Sequence, residues 1–261
     1  MEVMHRLYAM RRNAFVLLTA LCLVAGYHVS MPDTAAGHMV LEGLPAVLID
    51  AGHGGFDGGA VSKDQVLEKS LNLSVAEKLE LVLLSQGVQV VMTRREDEAL
   101  TLEGKTGKSA DLRARAKLAQ EYPDAILISI HMNKFEEAKY DGSQVFYSTN
   151  HPDSQVLAEC IQTSIRESLQ PENTRQIKPA GREIYLLTQA QQPAVLVECG
   201  FLSNLAETQR LLDEDYQQSL AQAIANGLQT YYNKVEEEKE QADVAFDSAA
   251  AQGVGYEQKQ E

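Results

Sequence analysis

Long apolar stretches are missing from this chain of 261 residues, and that narrows what it can be. The most membrane-like stretch, Ala14 to Gly26, is broken by Thr19 and falls short of the roughly 20 residues a spanning helix needs. Arg6, Arg11 and Arg12 precede it, which is the layout of an export signal rather than of a buried helix. Residues 1–30 are therefore expected to be a signal peptide or membrane anchor, and membrane contact is expected only there. Val24-Ala25-Gly26 offers small residues for cleavage. Cysteine is scarce too: Cys22 sits in the apolar run, and only Cys160 and Cys199 follow. Two cysteines build no disulfide framework, and neither has zinc-finger spacing, so both are expected as small core residues. Basic charge is short as well. The 23 Lys and Arg against 37 Asp and Glu leave a net charge of −14, which repels polyanions and weighs against nucleic acid as a partner. No Gly-x-Ser-x-Gly elbow appears, so a serine hydrolase would lack its nucleophile turn. Internal repeats are absent. From Lys234 onward three Lys face eight Asp and Glu with almost no large apolar residue, so residues 234–261 are expected to be a disordered acidic tail.

What is present reads as one α/β domain over residues 45–233, long enough for a real core. Ala46 to Asp50 is a buried strand opening into the glycine-rich Gly52-His53-Gly54-Gly55. Leu71, Val75, Leu79, Val82 and Leu83 recur at helical spacing, with Gly87 at the end and Glu68 at or just before the start. Val88 to Thr93 reads as a second strand, and Ser109 as the cap of a helix carrying Leu112, Ala116 and Ala119. Ala125 to Ile130 is the clearest buried strand and ends on His131. Strands are further expected over Ser143 to Ser148, Glu183 to Leu187 and Ala194 to Val197, with helices from Ser154 to Leu169 and from about Tyr216 to Tyr232. The alternation implies a mostly parallel, twisted sheet with helices on both faces.

Three of the strongest apolar runs deliver an ionisable residue: His53, His131 and Glu198. Ligands of open α/β sheets bind where the carboxyl ends of strands converge. Two imidazoles and a carboxylate, with Glu68 the obvious acid, suit zinc and leave a fourth position for water. Each residue also has a plain reading. His53 can be a turn residue, His131 a satisfied interior histidine, and Glu68 an acid that favours a helix dipole. Glu198 resists such a reading, because Pro193 to Val197 and Cys199 to Phe201 carry it into apolar surroundings that raise a carboxyl pKa towards that of a useful base. Cys199 beside it has no neighbouring histidine or helix start to favour a thiolate.

Taken together these residues resemble a known family. Asp50 to Ala60, then Glu68-Lys69 with Asn72-Leu73, then Ser129 to Asn133, then Glu198 to Asn204, are similar to the zinc-dependent N-acetylmuramoyl-L-alanine amidases. Gly87-Val88, Thr93-Arg94, Leu112 with Arg115 and Ala119, and Gly142 with Phe146-Tyr147 fall in matching places, so the likeness covers about Ala46 to Tyr232. Four motifs in order carry more than any one would. Met132 and Gln120 depart from the family's common Ala and Asn.

The resemblance implies zinc held by His53, Glu68 and His131, with Glu198 as catalytic base, cleaving the bond between muramic acid and L-alanine of peptidoglycan. Asn133 and Arg115 are candidates to support the ligands or touch substrate, though a structural role suits Arg115 equally well. A finer likeness, through Ser129 to Phe135, Tyr185 to Leu187 and Pro193 to Asn204, is to the germination-specific spore-cortex subgroup. That subgroup strips stem peptides from selected muramic acids before a separate deacetylase completes muramic δ-lactam. It implies an exported protein, extracytoplasmic or membrane-anchored, in the spore intermembrane space. The wall-binding repeats of general wall-lytic members are not seen. Two rivals stay open: an exported domain that binds zinc or wall peptide without cutting, and a zinc peptidase acting within the stem peptide.

Overall fold

A computed structural model describes residues 44–253. The expected export signal over 1–30 lies outside the described residues. Among the described residues no helix is long and apolar enough to cross a membrane.

Six strands form one sheet in the order β2-β1-β3-β6-β4-β5. They are β1 (Val47–Ala51), β2 (Val90–Met92), β3 (Ile126–Asn133), β4 (Gln144–Tyr147), β5 (Lys178–Pro179) and β6 (Ala194–Phe201). β2, β1, β3 and β6 run parallel, whereas β4 is antiparallel to β6 and carries β5 parallel to itself. The helices are α1 (Glu68–Ser85), α2 (Lys108–Glu121), α3 (Asp153–Ser168), α4 (Tyr185–Gln189), α5 (Leu205–Leu212) and α6 (Glu214–Gly253).

The central strands are apolar on both sides because helices cover both faces, as parallel sheets require. On one face Val47, Ile49, Ile128, Ile130, Val195 and Val197 pack against Val75 and Leu79 of α1, Leu157 and Ile161 of α3, and Leu220 and Ile224 of α6. On the other, Leu48, Leu127 and Leu196 meet Ala116 and Ala119 of α2 and Leu186 and Leu187 of α4. A fully buried Leu or Ile side chain contributes about 1.5–3 kcal/mol, so the first, larger cluster dominates stability. Cys160 and Cys199 are free and buried within it.

Three expectations need correction. Glu183 to Leu187 is not a strand: Tyr185–Gln189 forms the short helix α4, whose last turn is closed by Thr188 Oγ1 donating to the Tyr185 carbonyl at 2.7 Å. An apolar run this short fits either state, and packing against α2 decides. Ser109 is not the cap of α2, which begins at Lys108 behind Gly107, with no side-chain cap. The last helix does not stop near Tyr232: α6 continues to Gly253, through residues expected to be disordered. Beyond Val235 the described side chains are exposed. Scarce apolar residues prevent packing, but Ala, Glu, Lys and Gln are strong helix formers and need no packing partner to favour helical backbone.

Candidate active site

Strand alternation decides which side chains reach the site. Because Ile49, Ile130 and Val197 face α1 and α6, their neighbours Asp50, Ser129, His131 and Glu198 point to the opposite face. Register then sets Asp50 beside Ser129 and His131 beside Glu198. The strand ends thus supply one imidazole and two carboxylates to one small area.

The second imidazole comes from the loop after β1. His53 has φ of 60°, a left-handed conformation that residues other than glycine seldom adopt. The surroundings hold it there. Gly54 and Asp57 exchange backbone hydrogen bonds of 3.0 and 3.1 Å, and Arg115 donates to the His53 carbonyl at 2.6 Å. Asp57 Oδ2 lies 3.0 Å from His53 Nδ1, leaving Nε2 aimed at Glu68.

Glu68 is the first residue of α1 and is almost fully buried. Its backbone N–H donates to the Ala60 carbonyl at 2.9 Å while its Oε2 accepts from Ala60 N at 2.7 Å, a reciprocal clasp that ties the His53 loop to the helix. Oε1 accepts from Met132 N at 3.1 Å and from Asn72 Nδ2 at 3.2 Å. The same carboxylate meets both imidazoles: Oε2 is 3.2 Å from His53 Nε2 and Oε1 is 2.9 Å from His131 Nδ1. Burial alone would raise its pKa, but the hydrogen bonds and charges of His131 and His53 outweigh burial and hold it far below the ordinary carboxylate range. Gly59, at φ 67°, leaves no room for a side chain, since a Cβ there would lie 2.5 Å from Glu68 Oε2. A Cβ on Gly52 would overlap the His131 ring.

One donor atom each from His53, Glu68 and His131 lies within 4.8 Å of the others, so these three could hold a metal ion. Glu198 stands across the sheet ladder from His131, and its Oε2 is covered from solvent with no hydrogen-bond partner. Burial pushes its pKa up to about 7; Glu68 adds to the rise, and His131 and His53 oppose it. An unpaired buried carboxylate is costly, so Glu198 takes from the stability of the fold rather than adding to it.

Arg115 is spent internally. Nε donates to Asp111 at 2.8 Å, Nη1 to Asp50 at 2.6 Å and to the Ala51 carbonyl at 2.8 Å, and Nη2 to the His53 carbonyl and, at 3.2 Å, to Asp111. That uses all five guanidinium donors. It braces the loop carrying His53 from behind. Asn133 is not brought to the cavity: its Oδ1 accepts from Lys134 N at 2.8 Å as β3 ends. Its carbonyl accepts from Leu202 N at 2.8 Å. Arg94 and Asn72 brace the same region. Buried Arg94 donates to the carbonyls of Ala51, Gly52 and Lys69, and Asn72 to that of Gly52. Nothing in their own spacing announced this, because carbonyl-binding side chains leave no periodic trace.

A mostly parallel sheet whose strand ends, with the loop after β1 and the start of α1, bring together three side chains able to hold a metal ion beside an unpaired buried carboxylate has the makings of a hydrolase-type centre. Residues 47–230 match the family described as N-acetylmuramoyl-L-alanine amidase. The chain is 38% identical over 192 residues to the germination-specific N-acetylmuramoyl-L-alanine amidase of Bacillus subtilis, covering 72% of this chain and 80% of that protein. Its structure is similar to that of the CwlD amidase from Clostridioides difficile, solved in complex with the GerS lipoprotein. The TM-score is 0.69 at 39% identity, over 72% of this chain and 98% of that one. The N-acetylmuramoyl-L-alanine amidase from Clostridium difficile 630 matches with a TM-score of 0.65 at 33% identity, over 73% and 97%. The chain belongs to the N-acetylmuramoyl-L-alanine amidase family, whose substrate is peptidoglycan.

Proposed function

We propose that this amidase is zinc-dependent, with His53, Glu68 and His131 as ligands and Glu198 as general base. The observation that carries the proposal is Glu198 Oε2, buried and unpartnered beside the donor triad. The donor set fits the ion: two imidazoles and one carboxylate, in a cradle where Gly52 and Gly59 leave no space for other side chains. When bound, zinc supplies Lewis acidity, polarising an amide carbonyl and lowering the pKa of water from about 15.7 to about 7. Glu198, with its own pKa raised towards neutrality, takes the proton from the attacking water and delivers it to the leaving nitrogen of L-alanine. Asp57 holds the Nδ1 side of His53 so that Nε2 faces Glu68, whose depressed pKa keeps its carboxylate charged as a ligand must be. Arg115 keeps the His53 carbonyl, and with it the loop, in place.

The setting proposed is spore cortex: removal of stem peptides ahead of muramic δ-lactam formation, with export through residues 1–30 to the extracytoplasmic side, in the spore intermembrane space. The 38% identity to a germination-specific amidase supports it. The CwlD neighbour is in complex with a lipoprotein, so an accessory lipoprotein joins peptidoglycan and a muramic acid deacetylase as proposed partners. Mass spectrometry of peptidoglycan digested by the zinc-loaded protein tests the chemistry. Free stem peptides beside peptide-less glycan are expected; shortened peptides still attached to glycan would make it a peptidase instead, and intact material with stoichiometric zinc would make it a binding domain.

A further inference from the structure

The cavity in front of Glu198 measures ≈ 240 Å³ and reaches from His53 and His131 to Leu112, Ile184, Leu186 and Leu196. Leu112, Ile184, Leu186 and Leu196 make one part of it apolar, and most of its charges are committed. Asp50 and Asp111 are paired with Arg115, whose donors are exhausted, and Asp57 is held by His53 and by Gly59 N. Glu183 at the rim adds negative charge. Lys108 is different. Its ammonium lies 3.4 Å from Asp57 Oδ2, its side chain is 65% exposed, and an ammonium has three donors to offer. In a chain of net charge −14 it is the cation this cavity can present to an incoming anion.

We propose that Lys108 receives a carboxylate of the stem peptide, so that the cavity selects an acidic peptide; this rests on the amidase reading of the site. Chain length supports the match. Lys108 Nζ and His53 Nδ1 both contact Asp57 Oδ2, at 3.4 and 3.0 Å, so the ammonium stands close to the imidazole. Two residues of extended peptide span about 7 Å at most, enough to cover a gap bridged by one carboxylate oxygen. In muramyl peptides the residue after L-alanine is a D-glutamate joined through its γ-carboxyl, so its α-carboxylate stands free one residue beyond the scissile amide. With the amide at His53 and Glu198, that carboxylate comes within reach of Lys108.

The test uses the zinc-loaded full chain and two synthetic muramyl dipeptides whose γ-carboxyl is capped as the methylamide, one with the free D-glutamate α-carboxylate and one with that group as the uncharged α-amide. The native protein is expected to favour the free carboxylate in KM by about fivefold, the scale of a partly exposed ion pair. Lys108→Gln should erase that preference, Lys108→Arg should keep it and Lys108→Glu should invert it. Zinc content and thermal unfolding are followed in parallel, because Lys108 also touches Asp57. Equal slowing of both substrates by Lys108→Gln would mean that it acts through Asp57 and would overturn the proposal, as would a native protein indifferent to the carboxylate. A folded, zinc-loaded protein that cleaves neither dipeptide nor peptidoglycan would remove the amidase reading and this one with it.

Discussion

The two faces of the sheet are built to different ends. Against α1, α3 and α6 the central strands present apolar side chains, mostly aliphatic with Met132 and Cys199, and the cluster there is continuous. Against α2 and α4 the same strands present Leu48, Leu127 and Leu196 for half their length, then Asp50, Ser129, His131 and Glu198. Each strand alternates by the same geometry, so a single residue step separates a core position from a site position. The apolar face fixes the frame to within side-chain packing tolerances, and that rigidity lets the polar face hold an unpaired carboxylate and a strained histidine.

The sharpest way to break this division is at Glu198. Glu198→Gln should keep stoichiometric zinc and lose about 10²–10⁴-fold in turnover, the usual worth of a general base, whereas His131→Ala should lose zinc and turnover together. The same substitution should stabilise the metal-free protein. Glu198 has a folded pKa of about 7, above its unfolded value near 4.3, so its contribution to stability is intact below pH 4.3 and is lost as pH rises through 7. Thermal unfolding of metal-free Glu198→Gln should therefore exceed the native protein at pH 8 and match it near pH 4; a variant that is less stable at pH 8 would show that Glu198 contributes to the frame after all.

Arg115→Met probes the buried charges behind the site. Removing one partner of a buried ion pair costs about 3–5 kcal/mol. Burial raises the Asp50 pKa, but Arg115, His131 and the Ser129 hydroxyl outweigh burial and leave it below the ordinary range. Asp50 thus stabilises the fold above its unfolded pKa near 3.9, and the contribution is lost as pH falls through the depressed folded value. The gap between native and variant unfolding should be widest at neutral pH and narrow on acidification. Ile128→Ala, on the opposite face of the neighbouring strand β3, should cost about 2–5 kcal/mol at every pH and leave turnover per folded molecule unchanged. Asp57→Asn lies at the small end for the site: zinc affinity by competitive titration should fall about 10- to 100-fold, with little change in unfolding temperature without metal.

How far the sequence showed all this follows the same division. β1, β3 and β6 were legible because their aliphatic runs are bounded by glycine, proline or a charged residue, and the fold class came with them. The candidate site was legible because its residues end those runs and fall into four ordered motifs. β5 has two residues and α5 eight, too short to rise above the background of loops. α5 announces itself only through Asn204, whose side chain caps Glu207 N at 3.2 Å. The bracing of the His53 loop was hidden for another reason: Arg94, Arg115 and Asn72 bind backbone carbonyls, and no pattern of residue types tells a side chain aimed at a carbonyl from one aimed at solvent.

The distal half of α6 makes the smallest prediction and tests the comparison from outside. Tyr231 and Tyr232 are buried, and the Tyr232 hydroxyl donates to the Pro45 carbonyl at 2.9 Å, which ties α6 to the chain just before β1. Among the described side chains Val235 is the last packed against the core, and Glu236 to Phe246 are exposed. A helix packed at one end and exposed from Glu236 to Phe246 owes its order there to intrinsic propensity and to continuity with the packed turns, not to burial. Ending the chain after Glu236 should therefore change the unfolding free energy by less than about 0.5 kcal/mol, as for surface changes generally, and lower helical circular dichroism in proportion to the residues removed. Moving the end back by two turns, ahead of Tyr231, removes both tyrosines from the apolar face and should cost several kcal/mol. If instead the two truncations were equally harmful, the exposed segment would be stabilising the larger face, and the boundary between frame and appendage would have to be drawn beyond Phe246.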